Sequence, residues 1–352
     1  MNKQELPQEL IEYITDNQIE QAELARVIAE HKERYNIRNN DTIYSAEITG
    51  NIRFTANSSA DFPAVGDWVR FTKMDESSAI ILEVLPRFSV LQRQAVGKHA
   101  EVQLIAANVD VAFIVQAVGH DFNLNRLERY LSVCFAGKIK PIIIISKTDL
   151  ADEIVLKQML QEIATRQSSC TVISLSNQSK KGLDSLEQVL EPYKTYCFLG
   201  SSGVGKSTII NHLLGVQQQE VKKISESTSK GRHTTSHREL FVLKNNSIVI
   251  DTPGMRELGI THLSNALENT FDNIAELATQ CKFNDCSHMN ETGCAIISAV
   301  ESGELSEDSY QNYLKLKREQ AHFSSTVYEK RQRAKDFGKM VKSILQEKKQ
   351  SK

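Results

Sequence analysis

Net charge is the first thing this sequence has little of. Its 352 residues carry 42 Lys+Arg against 44 Asp+Glu, a formal charge of −2, which excludes a protein that coats nucleic acid through a general positive field. Any contact with nucleic acid has to be local. No stretch approaches the roughly 18 apolar residues that a membrane-spanning helix needs, and the amino terminus has no basic segment followed by an apolar run, so the expected compartment is the cytoplasm. Cysteine is sparse: of six residues, three lie together at metal-ligand spacing, while Cys134, Cys170 and Cys197 are scattered in apolar segments. That pattern excludes a disulfide framework and marks the scattered three as core residues. Internal repeats, low-complexity tracts and oligomerisation signals are missing too, so a monomer is expected.

What is present is an ordinary globular composition, 40% hydrophobic and 24% charged, on a chain too long for one core. Residues 1–36 are polar, contain one proline and no glycine, and space Leu10, Ile14, Leu24, Val27 and Ile28 as helices do; a helical extension is expected there. Residues 37–97 change to short β-rich runs (TIYSAEI, NIRFTA, DWVRF, AIILEVL) separated by turn residues, which predicts a small barrel of OB-like form, with a β-sandwich as the alternative. Residues 98–262 alternate wholly apolar runs (VDVAFIVQAV, KPIIIISK, SIVIDTPG) with amphipathic stretches, the grammar of a parallel sheet covered on both faces. Residues 263–352 read as helical with a Cys/His-rich segment, and from Tyr313 to Lys352 they hold 12 Lys+Arg against 4 Asp+Glu. That basic tail is either a phosphate-contacting surface or a solvated helix face. The expected architecture is therefore multidomain: a barrel, a central α/β domain and a mostly α carboxy-terminal domain.

The strongest chemical signal is Gly200-Ser201-Ser202-Gly203-Val204-Gly205-Lys206-Ser207, followed by Thr208 and set between an apolar strand and a helix. Glycines let successive backbone N–H groups turn inward around phosphate oxygens, the helix amino terminus adds a favourable dipole, Lys206 reaches the β/γ-phosphates and Ser207 can ligate Mg²⁺. Downstream, SIVIDTPG puts Asp251 at a strand end, where a carboxylate can hold the Mg²⁺ shell, with the Gly254 N–H turned to the γ-phosphate. Between the two, Lys230-Gly-Arg-His233-Thr234-Thr235 suits a switch loop in which one of the threonines meets Mg²⁺.

A base-reading motif is missing after Asp251 and appears upstream instead, as Ser146-Lys147-Thr148-Asp149 behind the strand PIIII. The carboxylate of Asp149 can accept from guanine N1–H and its exocyclic amine, and the stem of Lys147 can cover the base. The first position is usually Asn, and Ser146 is shorter. Ser174-Leu175-Ser176 sits where a second loop would support the base. The motifs thus occur in rotated order, which preserves a site when the original chain ends lie close together. Finally, Cys281, Cys286, His288 and Cys294 fall within 14 positions, as a closed Cys₃His zinc site requires.

With these residues the chain resembles the RsgA (YjeQ) family of circularly permuted GTPases, from Gly66-Asp-Trp-Val through QLIAANVD, FNLNRLERYL, the rotated motifs, GRHTT, DTPGMREL and the Cys/His segment. The resemblance implies an amino-terminal OB-fold, a permuted GTPase domain, a zinc-binding carboxy-terminal domain, and assembly onto the 30S ribosomal subunit and its 16S rRNA, with GTP hydrolysis coupled to late maturation. Met255 occupies the position where many GTPases place a water-orienting glutamine, so slow intrinsic hydrolysis is expected, with Lys206 steadying charge and His233 as a candidate partner of the water. The loop's structure and contact with RNA are the other readings of His233, just as Trp68 and Phe71 are either base-stacking residues or barrel core. Two rival readings are a GTP-switched RNA-binding factor without catalysis and a P-loop ATPase with relaxed base selectivity.

Overall fold

The computed structural model describes residues 6–31, 34–94, 102–215, 238–252 and 266–324. After α1 (Gln8–Asp16) come β1 (Leu24–His31), β2 (Arg34–Asn39), β3 (Thr42–Ile48), α2 (Gly50–Thr55), β4 (Trp68–Lys73) and β5 (Ser78–Val84). These five strands close on themselves in the order β1-β2-β3-β5-β4, with β4 returning to β1 and only β3 and β5 parallel. The result is a closed barrel of OB-like form, not a sandwich. Alternation builds it: Tyr35 and Ile37 of β2 and Tyr44 and Ala46 of β3 point inward, where they meet Val69, Phe71 and Ile81. Trp68 and Phe71 are both buried, Phe71 in the barrel core and Trp68 in a small cluster under α1, so the base-stacking alternative gives way for both.

The helical expectation for residues 1–36 holds for Gln8–Asp16 and fails after it. Leu24, Val27 and Ile28 share a helical spacing by accident of a strand buried on both faces. Ala25 and Val27 enter the barrel core, Leu24 packs under α1 with Leu10 and Trp68, and Ile28 joins the core of the next domain. A doubly buried strand loses the polar alternation that would have identified it.

A two-stranded ribbon, β6 (Val90–Gln94) and β7 (Val102–Ala107), leads to β8 (Val111–Ala117), α3 (Leu124–Ala136), β9 (Lys140–Ser146), α4 (Glu153–Arg166), β10 (Val172–Ser174), α5 (Leu183–Gln188), β11 (Thr195–Leu199), α6 (Lys206–Leu214), β12 (Glu239–Val242) and β13 (Ile248–Asp251). The sheet runs β10-β9-β8-β11-β13-β12, parallel except for β12. Each strand feeds two cores: Ile143 and Ile145 face Leu127, Leu131 and Ile163, whereas Ile142 and Ile144 face Leu183, Leu186 and Ile209. This is why these strands are apolar throughout. Burial also pushes the Cys134 thiol well up and the Cys197 thiol up to about 12, leaving both as inert core residues.

The last region holds α7 (Ala266–Thr270), α8 (Asp272–Ala278), α9 (Ala295–Glu301) and α10 (Glu307–Ser324) around Leu267, Phe271, Ile274, Ile296 and Leu314. It docks on α3. The buried carboxylate of Glu128 accepts from Asn312 Nδ2 at 2.6 Å and faces Arg166 at 3.5 Å, Arg129 forms a two-pronged pair with Glu319 at 2.7 and 2.8 Å, and Ser132 meets Thr270 at 2.9 Å. Among the described residues no helix is long and apolar enough to cross a membrane.

Desolvation raises the Glu128 pKa above its ordinary 4.5, opposed by Asn312 and Arg166. The folded chain therefore keeps this proton to higher pH than the unfolded chain. Stability should fall as pH rises from the ordinary value through the raised one, then level off. Glu128→Gln should abolish that slope, and Glu128→Ala, which takes one acceptor from each of Arg166, Ser309 and Asn312, should cost about 1–3 kcal/mol; urea titrations of the three proteins across about pH 4 to 8 check both.

Candidate functional site

The phosphate loop leaves the buried strand β11 at Gly200. A Cβ there would lie 2.2 Å from the Val115 carbonyl oxygen at a φ of +139°, so only glycine lets the loop pass so close to β8. Gly205, at φ +98°, ends the loop on the amino terminus of α6. Lys206 Nζ folds back to donate to the carbonyls of Gly200 at 2.7 Å and Ser201 at 2.6 Å, while Ser202, Gly203, Ser207 and Thr208 stay exposed and Val204 is buried. Burial lowers the Lys206 pKa, and the carboxylates of Asp251 and Asp121 work against that. Asp251, at the end of β13, is pushed up by its own burial and held down by Lys206. The adjoining Thr252 hydroxyl donates to the Phe198 carbonyl at 2.9 Å, fixing this strand end beside the phosphate loop. His233, Thr234, Thr235 and Gly254 lie outside the described residues.

The Ser146–Asp149 segment meets this loop directly. Ser146, buried at the end of β9, donates its hydroxyl to the Val204 carbonyl at 2.6 Å, with the Gln116 carbonyl at 3.2 Å. Lys147 turns the chain through the left-handed region at φ 57°, and Thr148 N donates to the Leu175 carbonyl at 3.3 Å. Asp149 accepts from the hydroxyl of Ser176, which in turn accepts from Ser179 N at 3.1 Å. The structure thus brings Ser176 against the carboxylate, whereas Ser174 ends β10 with its carbonyl packed on Gly182. Asn177 follows and sets its amide against Gly205. The segments carrying Asp149 and Lys206, 57 positions apart in sequence, are therefore brought side by side and joined by the Ser146–Val204 bond.

Three residues around the loop went unnoticed in the sequence, although they lie in or beside FNLNRLERYL. Arg126 pairs with Asp121 at 2.9 Å, Tyr130 shares a hydrogen bond with Ser201, and Asp121 Oδ2 and Arg126 Nε are buried without partners among the described residues. The Gln116 amide clamps Asn123 from both sides at 2.9 and 3.0 Å, and Asn123 caps α3 by accepting from Arg126 N. The Asn immediately before the helical pattern was the available signal.

In the carboxy-terminal region Cys281, Cys286, His288 and Cys294 bring one ligand atom each within 4.8 Å of one another. Cys281 Sγ lies 3.9 Å from Cys294 Sγ, and His288 Nδ1 lies 3.6 and 3.7 Å from those two sulfurs. Ligands about 2.3 Å (S) and about 2.0 Å (N) from a central ion span tetrahedral edges of roughly 3.5–3.8 Å, so the cluster fits a tetrahedral metal ion. The Tyr310 hydroxyl donates to the His288 carbonyl at 2.6 Å, and Glu291 gathers the N–H groups of Ser287, Met289 and Asn290, which shapes the ligand loop from outside.

A parallel sheet with the Gly-Lys-Ser loop at its centre, the Ser146–Asp149 segment two strands away, and the motifs in rotated order define a circularly permuted P-loop GTPase, carried between an OB-like barrel and a helical region with a Cys₃His cluster. The chain belongs to the RsgA GTPase family, whose model matches residues 84–261. It is 43% identical over 299 residues to "Small ribosomal subunit biogenesis GTPase RsgA 2" of Lactiplantibacillus plantarum, covering 85% of this chain and 84% of that protein. Against the protein of the same name from Listeria monocytogenes it is 45% identical, covering 84% and 83%. Among solved structures it resembles YjeQ from Thermotoga maritima (TM-score 0.64, 25% identity, 84% of this chain and 96% of that one) and the circularly permuted GTPase YloQ (TM-score 0.61, 26% identity, 86% and 96%).

Ser146→Ala removes the donor that two buried carbonyls share, so it should destabilise the fold by about 1–2 kcal/mol and weaken guanine-nucleotide binding by loosening the base loop from the phosphate loop. Chemical denaturation together with nucleotide titration checks this. Unchanged values in both would show that the bond does not hold the cleft.

Proposed function

We propose that this chain binds GTP and Mg²⁺ in the cleft between Asp149 and Lys206, assembles onto the 30S ribosomal subunit and its 16S rRNA in the cytoplasm as a monomer, and couples hydrolysis to late maturation of the subunit and its own release. The observation that carries the nucleotide reading is the hydrogen bond joining Ser146 to Val204, which sets base reader and phosphate loop on one cleft. The names of the relatives support the subunit.

In this reading Asp149, held by Ser176, accepts from the guanine edge, with Lys147 along the base and Thr148 and Leu175 pairing the two loops. The N–H groups of residues 201–207 gather the phosphates, and Lys206 exchanges its two loop carbonyls for phosphate oxygens. Ser207 and Asp251, with Thr234 or Thr235, would hold Mg²⁺, which supplies charge neutralisation between the β- and γ-phosphates. Lys206 and the Gly254 N–H steady the charge on the γ-phosphoryl group as it leaves. Met255 offers the attacking water no hydrogen bond, so His233 is the group assigned to orient it once the subunit orders the switch loop. The barrel begins at β1 rather than at residue 37, the GTPase domain runs to about residue 262, and the barrel and the basic tail make the rRNA contacts.

Pelleting with isolated 30S but not 50S particles, stronger with a non-hydrolysable GTP analogue than with GDP, is the expected result in co-sedimentation. Equal pelleting with both particles, or no dependence on nucleotide, overturns the subunit reading. In the same mixtures His233→Ala should lose the 30S stimulation of phosphate release while keeping GTP affinity; equal stimulation removes it from the chemistry.

We further propose that Cys281, Cys286, His288 and Cys294 hold one structural Zn²⁺. Elemental analysis should find about one zinc per chain. Cys294→Ser should reduce that content and lower the Tm without changing GTP affinity, and full zinc content in the variant would refute the ligand set.

A further inference from the structure

Guanine presents two kinds of edge. Its N1–H and exocyclic amine are donors, which suit a carboxylate, whereas O6 and N7 are acceptors and need a donor that Asp149 cannot be. A base-reading Asn supplies such a donor from its amide. Here that position is Ser146, and its single hydroxyl hydrogen is committed to the Val204 carbonyl at 2.6 Å. Ser146 therefore has no hydrogen left to give the acceptor edge.

A side-chain amide stands close by on the neighbouring loop. Asn177 directly follows Ser176, the residue that holds Asp149. Its Nδ2 lies 3.1 Å from the point where a Cβ on Gly205 would sit, so the amide rests against the phosphate loop at the entry to α6. Its Oδ1 is buried and has no partner among the described residues. A buried amide end without a partner costs about 1–3 kcal/mol, and such groups mark places where something else completes the bonding. The terminal group can also turn by 180°, exchanging its donor and acceptor ends.

We propose that Asn177 is a base-contacting residue: its amide donates to N7 of the bound guanine and so replaces the amide that Ser146 lacks. N7 is the favoured acceptor because, with the base turned away from the ribose, it lies on the side nearest the phosphates, where Gly205 places the amide. The exchange of roles is reciprocal. Ser146 keeps the bond that ties the two loops, and Asn177 takes the contact to the base.

The inference rests on the reading of Asp149 as the base reader, which a separate arm tests. Equilibrium binding of GTP and of 7-deaza-GTP, in which N7 is replaced by carbon, is measured for the full-length wild type, Asn177→Ala, and Asn177→Ala combined with Ser146→Asn. The wild type should bind 7-deaza-GTP roughly three- to tenfold more weakly than GTP, the worth of one hydrogen bond. Asn177→Ala should weaken GTP by that factor and leave 7-deaza-GTP unchanged, and the added Ser146→Asn should restore most of the GTP affinity. If the wild type binds the two nucleotides equally, or if Asn177→Ala weakens both alike, the proposal is overturned. Asp149→Asn, in which an amide donor replaces one of the two carboxylate acceptors, should favour xanthosine triphosphate, whose carbonyl stands where guanine has its amine, over GTP. If it does not, the base-reader assignment itself fails, and this inference fails with it.

Discussion

The cleft depends on one short hydrogen bond, from the Ser146 hydroxyl to the Val204 carbonyl, made where both residues are buried. It joins loops that follow different strands, β9 and β11, with β8 between them. Parallel strands deliver their carboxyl ends to one edge of the sheet, so loops distant in sequence emerge side by side there. That edge condition is satisfied whatever order the strands occupy along the chain. Rotation of the motifs therefore leaves the geometry of the pocket intact, and the constraint that remains is local: the two loops must be held at fixed separation, which a buried donor between two carbonyls does.

The barrel is tied into the same sheet. β1 belongs to the barrel and also pairs with β12 at Ala29 and Glu239. Arg26 on β1 is buried against the face of Trp68 and donates to the carbonyls of Gly66 and Asn108 and to Thr195 Oγ1 at 2.7 Å, at the start of β11. Gly66 has to be glycine because a Cβ would lie 2.1 Å from the Ala107 carbonyl, and Asp67 is held by a two-pronged Arg87 at 2.6 and 2.8 Å. The Gly-Asp-Trp-Val segment, which carries part of the family resemblance, is in physical terms the joint between barrel and GTPase sheet. A buried charge such as Arg26 is tolerable there because its Nε and Nη2 donate to three oxygens and its guanidinium lies over a ring face.

Legibility in the sequence followed how local each signal was. The phosphate loop, the base-reading segment and the Cys/His spacing are contiguous patterns whose chemistry can be stated residue by residue, and the apolar strands announced a sheet covered on both faces. The failures were of another kind. β1 was hidden because burial on both faces erased its period of two. Ser174 ends β10 and Ser176 lies two positions beyond it, and only the folded loop shows which of them reaches Asp149. Glu128 sits on an amphipathic helix at what looks like a polar position, and its burial is created by α10, a partner nearly two hundred residues away. Composition cannot announce a contact that the topology makes.

The rotated order raises the question of how the nucleotide could speak to the carboxy-terminal region. The chain segment after Asp251 is one route, and α3 is a second that needs no continuity of sequence. Along its 13 residues, Arg126 pairs with Asp121 near Lys206, and Tyr130 bonds the phosphate-loop residue Ser201. On the same helix, Glu128, Arg129 and Ser132 hold Asn312, Glu319 and Thr270. Residues at i, i+3 and i+4 share a helix face while their neighbours face elsewhere, so one short rigid element touches the phosphate loop on one side and the carboxy-terminal helices on the other. A packed helix moves as a body more readily than it bends. Any change in the position of the loop that displaces Tyr130 is thus carried to the Glu128 network by the geometry of α3 itself, and the carboxy-terminal region is placed to respond to the phosphate loop from two directions.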